Sequence, residues 1–200
     1  YSRFLSILSF VYMPVVVFLI IKPESVVLLL LGQKWMSAVP ILRIVAIGGF
    51  VRPIVATFQL VMISNNQTKR YLKWGLFNGI IMIFAFGLGI RWGIVGVAMA
   101  FAAASFISCI VAFFYCLKET PITPLIILKT IKIPLLASWG AGVILALMPS
   151  DIYPNHMVLN IVSFVSILFL SYAIILLCIP TGRQQVVEFW SYRKELFSRA

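Results

Sequence analysis

IVGVAMAFAAASFISCIVAFFYC, residues 94–116, runs for 23 positions without a charged side chain. As a helix rising ~1.5 Å per residue it would exceed the ~30 Å hydrocarbon thickness of a bilayer. Backbone polar groups in lipid must be satisfied within the segment, so a single apolar stretch of this length predicts a membrane-spanning helix. Five further stretches read the same way: residues 5–21, 41–63, 72–90, 131–148 and 157–179.

Composition agrees. Hydrophobic residues make up 62% of the 200 and charged residues 10%, with a mean hydropathy of +1.10. Soluble domains carry roughly 25% charge, so a soluble core is excluded. The expected fold is all-α: an integral membrane protein of about six transmembrane helices. Residues 1–120 hold four spans, residues 121–180 hold two more, and 181–200 form a basic tail.

The net charge of +11 would suggest nucleic acid in a soluble protein, but here the charges are scattered between apolar spans instead of lining one face. No nucleic-acid partner is implied. Assigned by span, Arg3, Lys69, Arg70, Lys73, Lys118, Lys129, Lys132, Arg183, Arg193, Lys194 and Arg199 fall on one side. Lys22, Lys34 and Arg91 fall on the other. Eleven against three places both ends in the cytoplasm. The segment 24–36, ESVVLLLLGQKWM, would invert every later loop if it crossed; its apolar run, which stops at Gly32, is too short, so it is expected along the outer surface. Trp35, Tyr71, Trp74, Trp92 and Tyr115 stand at span ends, where amphipathic rings prefer the headgroup level. The tail suits either a helix on the anionic inner leaflet or a frayed end, and anionic lipids are expected partners of the basic loops.

Tyr1 opens almost directly into a span, and the chain reads as the C-terminal part of something longer. Catalytic chemistry is sparse. Glu24, Glu119, Asp151, Glu188 and Glu195 all lie in loops or the tail, so the spans offer no carboxylate pair for acid/base work. His156 stands alone, and Cys109, Cys116 and Cys178 read as small buried hydrophobes. No catalytic residue, metal site or cofactor follows; a coupling ion or the membrane potential is left open.

The second span, PILRIVAIGGFVRPIVATFQLVMISNNQ from Pro40 to Gln67, is the exception. Arg43 lies near enough to its outer end to snorkel. Arg52 lies ~15 Å in, where insertion of a charge costs about 2.5–3.5 kcal/mol. Gly48 and Gly49 precede it and Pro53 follows, disfavouring helical geometry at Arg52 and predicting a break. Arg52, Gln59 and Asn66, spaced by seven, would form a polar stripe. Broken helices at mid-membrane are where transporters place substrate groups. The plainer alternative is that Arg52 pairs with a carboxylate elsewhere or with carbonyls and holds the bundle together; the spans supply no such acid. Gly75/Gly79 and Gly89/Gly93 form GxxxG pairs, and alanines with Ser105 and Ser108 crowd the fourth span, all read as helix packing. Asn78 either lines a cavity or bonds to a neighbouring helix.

LLLLGQKWMSAVPILRIVAIGGFVRPI, then NNQTKRYLKWGLFNG, then RWGIVGVAMAFAAASF, resemble the C-terminal region of Wzx-type lipid-linked oligosaccharide flippases. These belong to the multidrug/oligosaccharidyl-lipid/polysaccharide exporter superfamily, and the likeness is to the colanic acid and exopolysaccharide branch. It covers about residues 1–120; the last two spans match only in hydropathy and position. The resemblance implies a two-lobed exporter of twelve to fourteen helices in the bacterial inner membrane, with this chain as its last six. It implies flipping of undecaprenyl-diphosphate-linked repeat units by alternating access, with polysaccharide assembly proteins as partners. The family's cavity arginines carry over to Arg52 and to Arg43, in the RPI and LRI segments, and Gln59 extends that polar face toward the cytoplasm. A cation-coupled drug exporter of the same superfamily would be expected to use intramembrane acids. A membrane enzyme acting on polyprenyl-linked sugars would need a larger outer loop than the one around Asp151.

Overall fold

The structure is a computed structural model and describes residues 2–117, 124–148 and 157–178. Every regular element among them is helical. Helix α1 (Ser2–Ile21) leads into α2 (Pro23–Leu30), a 3-10 turn (Gln33–Ala38), α3 (Val39–Gly49), α4 (Arg52–Ser64), α5 (Thr68–Gly89), a short 3-10 turn (Ile90–Trp92), α6 (Gly93–Leu117), α7 (Pro124–Ala146) and α8 (Met157–Cys178). Lys118, Glu119, Asp151, His156 and the tail 181–200 lie outside the described residues, as do the side chains of Arg3, Cys116 and Lys129.

Val158–Cys178 is long and apolar enough to cross a membrane. So is the stretch Thr68–Tyr115, which folds back on itself: Phe86 stacks on Phe101 and Trp74 on Tyr115, pairing early residues with late ones. Two bent pairs add α1 with α2, meeting at 91°, and α3 with α4, meeting at 44°. The 91° elbow begins where Pro23 takes a first-turn position of α2, the place in a helix where a missing N–H costs least. It sets segment 24–36 across α1 instead of in line with it.

Contacts give each helix a direction. Val17 and Ile21 meet Gly142 while Leu5 and Ile131 share one apolar cluster, so α1 and α7 run parallel. Phe10 meets Tyr172 and Phe18 clusters with Phe164, so α8 runs the other way. Gly48 abuts Ala102 and Phe58 abuts Phe113, which aligns α3–α4 with α6. Successive spans therefore alternate. Lys69, Arg70 and Lys73 come to the same end of the bundle as Lys132, and Lys22, Lys34 and Arg91 to the other.

The core centres on α1. Leu5 and Met13 pack with Phe58, Met62, Trp74 and Ala112; Val17 and Phe18 pack with Leu145, Phe164 and Leu168. Pro14 inside α1 cannot donate to the carbonyl of Phe10, and the hydroxyl of Tyr172 on α8 donates to that carbonyl at 3.1 Å. A side chain from another helix thus replaces the donor that proline removes, as a backbone carbonyl embedded in lipid requires.

Three expectations change. The close glycine pair is Gly89 with Gly96, not Gly89 with Gly93: a Cβ on Gly96 would lie 2.5 Å from the carbonyl oxygen of Gly89. Gly93 serves the turn instead, at φ +70°. Gly75 and Gly79 face open space, with nothing within 4 Å of an added Cβ. Trp74, expected at the headgroup level, is buried against Tyr115.

Candidate functional site

The break in the second span falls at Phe50 and Val51. Pro53 cannot donate to the carbonyl of Gly49, and the amide of Phe50 reaches Ile47 in a tightened 3-10 turn at 3.2 Å. Arg52 itself is helical and opens α4, against the extended geometry its proline neighbour predicts. The first turn of a helix tolerates proline, so the chain bends one residue earlier and restarts at Arg52. Thr57 then donates to the carbonyl of Pro53 at 2.9 Å, from the next turn of α4.

This restart sets Arg52 about halfway along α3–α4, ~18 Å from either end. Its guanidinium stands 5.9 Å from the centroid of the Phe101 ring on α6, within cation–π range. Among the described residues it makes no ion pair. Two cavities open on either side of the Arg52–Phe101 pair. One, about 180 Å³, is lined by Arg52, Val55, Asn78, Met82, Ser105 and Ser108 among others. The second, about 460 Å³, is lined by Tyr12, Val16, Leu42, Val45, Gly49 and Arg52 among others. Gly48 permits this geometry, because a Cβ there would sit 2.9 Å from the Ala102 backbone and push α3 off α6.

The smaller cavity carries unspent hydrogen-bonding groups. Asn78 Oδ1 and Ser108 Oγ are buried with no partner, whereas Ser105 donates to the carbonyl of Phe101 at 2.8 Å. A buried polar atom without a partner costs about 1–3 kcal/mol. Together with a cation, these groups form a polar recess at mid-depth in an apolar bundle.

The other sequence candidates lie elsewhere. Arg43 donates to Glu24 at 2.9 Å and to the carbonyl of Ile20 at 3.1 Å, tying α3 to the α1–α2 elbow; it lines neither cavity beside Arg52. Gln59 is half-buried on α4 and also lines neither. Asn66 leaves the helix at φ +57°, so the stripe of three is interrupted after Gln59. Ser105 and Ser108, read from sequence as packing residues, belong to the recess. Their spacing from Phe101, four and seven, was the available signal for a shared helix face. At the basic end, Arg70 donates to the Tyr115 carbonyl at 2.9 Å and stands 5.1 Å from its ring centroid. Lys73 there lines an apolar hollow of about 370 Å³ with Trp74, Phe77, Val111 and Tyr115.

An all-α bundle with alternating apolar spans and a cationic recess at a broken helix defines a multi-pass membrane protein. Residues 1–40 match the model of a family described as polysaccharide biosynthesis protein. Over 119 residues, 59% of this chain, it is 24% identical to an uncharacterized membrane protein in the cps region of Klebsiella pneumoniae. It is 23% identical over a stretch of the same length to the lipopolysaccharide biosynthesis protein WzxC of Escherichia coli K12. Each match takes in 24% of the relative, so the chain spans about a quarter of their length. No solved structure matches. The family model and the relatives together identify the chain as similar to polysaccharide-biosynthesis membrane proteins of the Wzx type.

Proposed function

We propose that this chain forms part of a carrier that flips undecaprenyl-diphosphate-linked oligosaccharide repeat units across the bacterial inner membrane, with both ends of the fragment cytoplasmic. The observation that carries the proposal is Arg52: a guanidinium at mid-depth, on a helix restarted by Pro53, facing two cavities and held by an aromatic ring instead of an acid. A guanidinium grips phosphate oxygens bidentately. The match to a polysaccharide biosynthesis family and the likeness to a lipopolysaccharide biosynthesis protein support the cargo class.

In this reading the diphosphate pairs with Arg52, the polyprenyl tail remains in lipid, and the bundle opens alternately to the two sides. Lys69, Arg70 and Lys73 contact anionic lipid at the cytoplasmic end, and segment 24–36 lies along the outer surface. The protein carries its cargo without making or breaking bonds in it. A coupling ion or the membrane potential would drive the cycle.

Mass spectrometry of polyprenyl-diphosphate-linked glycans in cells lacking the gene, with their leaflet distribution, tests the proposal. The expected result is a complete repeat unit accumulating on the inner leaflet. Unchanged intermediates would overturn the cargo assignment, and an incomplete glycan would indicate an enzyme of assembly instead.

A further inference from the structure

We propose that the hollow between the basic ends of α5 and α6 is a selective site for one anionic phospholipid of the bilayer, with an acyl chain in the hollow and the phosphate on Lys73. The proposal takes from the reading above only that this end of the bundle meets a leaflet surface; it holds whatever the protein carries.

The polarity of the hollow is ordered along the helices. Lys73 lies five residues past the start of α5 and Tyr115 two before the end of α6, so both stand near the basic end. Phe77 and Val111 stand one turn deeper, four residues on from Lys73 and four back from Tyr115. The hollow is therefore cationic at its mouth and apolar at its floor, the order in which a phospholipid presents its phosphate and its chain. Lys69, one turn nearer the end on the same face of α5, adds a second exposed cation. Among the described residues neither lysine forms an ion pair. A lipid phosphate supplies that counter-charge, whereas a neutral lipid fills only the floor.

The walls are fixed and the side is open. Trp74, 3% exposed, packs on the core with Phe58 and Met62 and stacks on Tyr115 at 6.2 Å. Arg70 donates to the Tyr115 carbonyl at 2.9 Å and ties the two helices above the rings. Glycines bring the α5–α6 hairpin into backbone contact at its turn, while these large rings separate the helices at the other end, beside a hollow of about 370 Å³. That volume lies within the ~300–1,000 Å³ of small-molecule sites. Phe77 is 46% exposed and its neighbour across the hairpin, Phe114, 74% exposed, so an occupant enters sideways from lipid.

The test is quenching of Trp74 fluorescence by lipids brominated in the acyl chain, in nanodiscs holding the purified gene product. Brominated phosphatidylglycerol and brominated phosphatidylcholine are each titrated against unlabelled phosphatidylcholine, and the Trp74 signal is the part lost in Trp74→Phe. Phosphatidylglycerol should quench at a mole fraction roughly fivefold lower than phosphatidylcholine, about one lysine's share of the attraction to anionic lipid. Lys73→Gln should keep the quenching by phosphatidylcholine and remove the preference, while Val111→Phe, which fills the floor, should reduce quenching by both. Should Val111→Phe fail to reach the membrane, Lys73→Gln, on an exposed side chain, carries the test alone. Equal quenching by the two lipids in wild type, or a preference that survives Lys73→Gln, overturns the proposal: lipid then touches the hollow without being selected. Trp74 beyond the reach of both lipids overturns it too, because protein then covers the hollow. Undecaprenyl diphosphate that relieves the quenching at a lower mole fraction than phosphatidylglycerol overturns it in favour of an isoprenoid chain. No transport step enters the readout, so failure here leaves the carrier reading standing.

Discussion

Replacing Arg52 with Gln removes a charge while keeping a hydrogen-bonding side chain, which makes Arg52→Gln the sharpest test at residue scale. A charge-assisted hydrogen bond contributes about 1.5–3 kcal/mol, so cargo binding should weaken ten- to hundredfold and export of surface polysaccharide should cease. Membrane abundance should stay near wild type, because no acid among the described residues depends on the guanidinium. A collapse in abundance, read by immunoblot of the membrane fraction, would instead make Arg52 a bundle-holding residue. Tyr172 gives the opposite profile. Its hydroxyl serves the Phe10 carbonyl that Pro14 deprives of a helical donor, so Tyr172→Phe should cost about 1 kcal/mol and lower the melting temperature of the detergent-purified protein. An unchanged melting temperature would mean that the Phe10 carbonyl finds another donor.

Among the elements, the α3–α4 break and the α5–α6 hairpin behave differently because one is a bend and the other a tight contact. Pro53→Ala restores an N–H to the carbonyl of Gly49 and should straighten the 44° bend. Thermal stability should rise and transport should fall, measured on the same preparation; a rise in both would detach the bend from function. Gly96→Val should prevent the hairpin from closing, since its Cβ would lie 2.5 Å from both the Gly89 oxygen and Trp92 Cβ. Gly79→Val meets nothing within 4 Å and should leave the abundance of the protein unchanged, a contrast that pulse-labelling of the membrane fraction reads directly. The break was legible in sequence because Gly48, Gly49 and Pro53 act on the backbone next to them. The glycine contact was not, because a GxxxG motif says that a helix can be approached and not from where; the turn at Ile90–Trp92 fixes the register that brings Gly96 to Gly89. The recess was half legible for the same reason. Helical period groups Ser105 with Ser108 and Asn78 with Met82, but nothing local says that those two faces meet across Arg52. The ion pair of Arg43 was not legible, since its partner Glu24 lies beyond a 91° elbow and read as a loop acid.

For the whole molecule, alternating helix directions carry Lys69 to one end and Lys34 to the other, and the charge asymmetry predicts that the first is cytoplasmic. In a variant lacking Cys109, Cys116 and Cys178, Lys34→Cys should react with an impermeant maleimide added outside intact spheroplasts, and Lys69→Cys only after lysis. The reverse pattern would invert the topology while leaving the fold intact. The Tyr172–Phe10 hydrogen bond also bears on biogenesis. Its partners stand 162 residues apart in the chain, and a ribosome adding about 5–20 residues per second needs roughly 8–30 s to make that interval. Until α8 emerges, the donor that substitutes for Pro14 does not exist. The first helix therefore enters the bilayer before Tyr172 exists, and this hydrogen bond joins the bundle only when the last described helix arrives beside it.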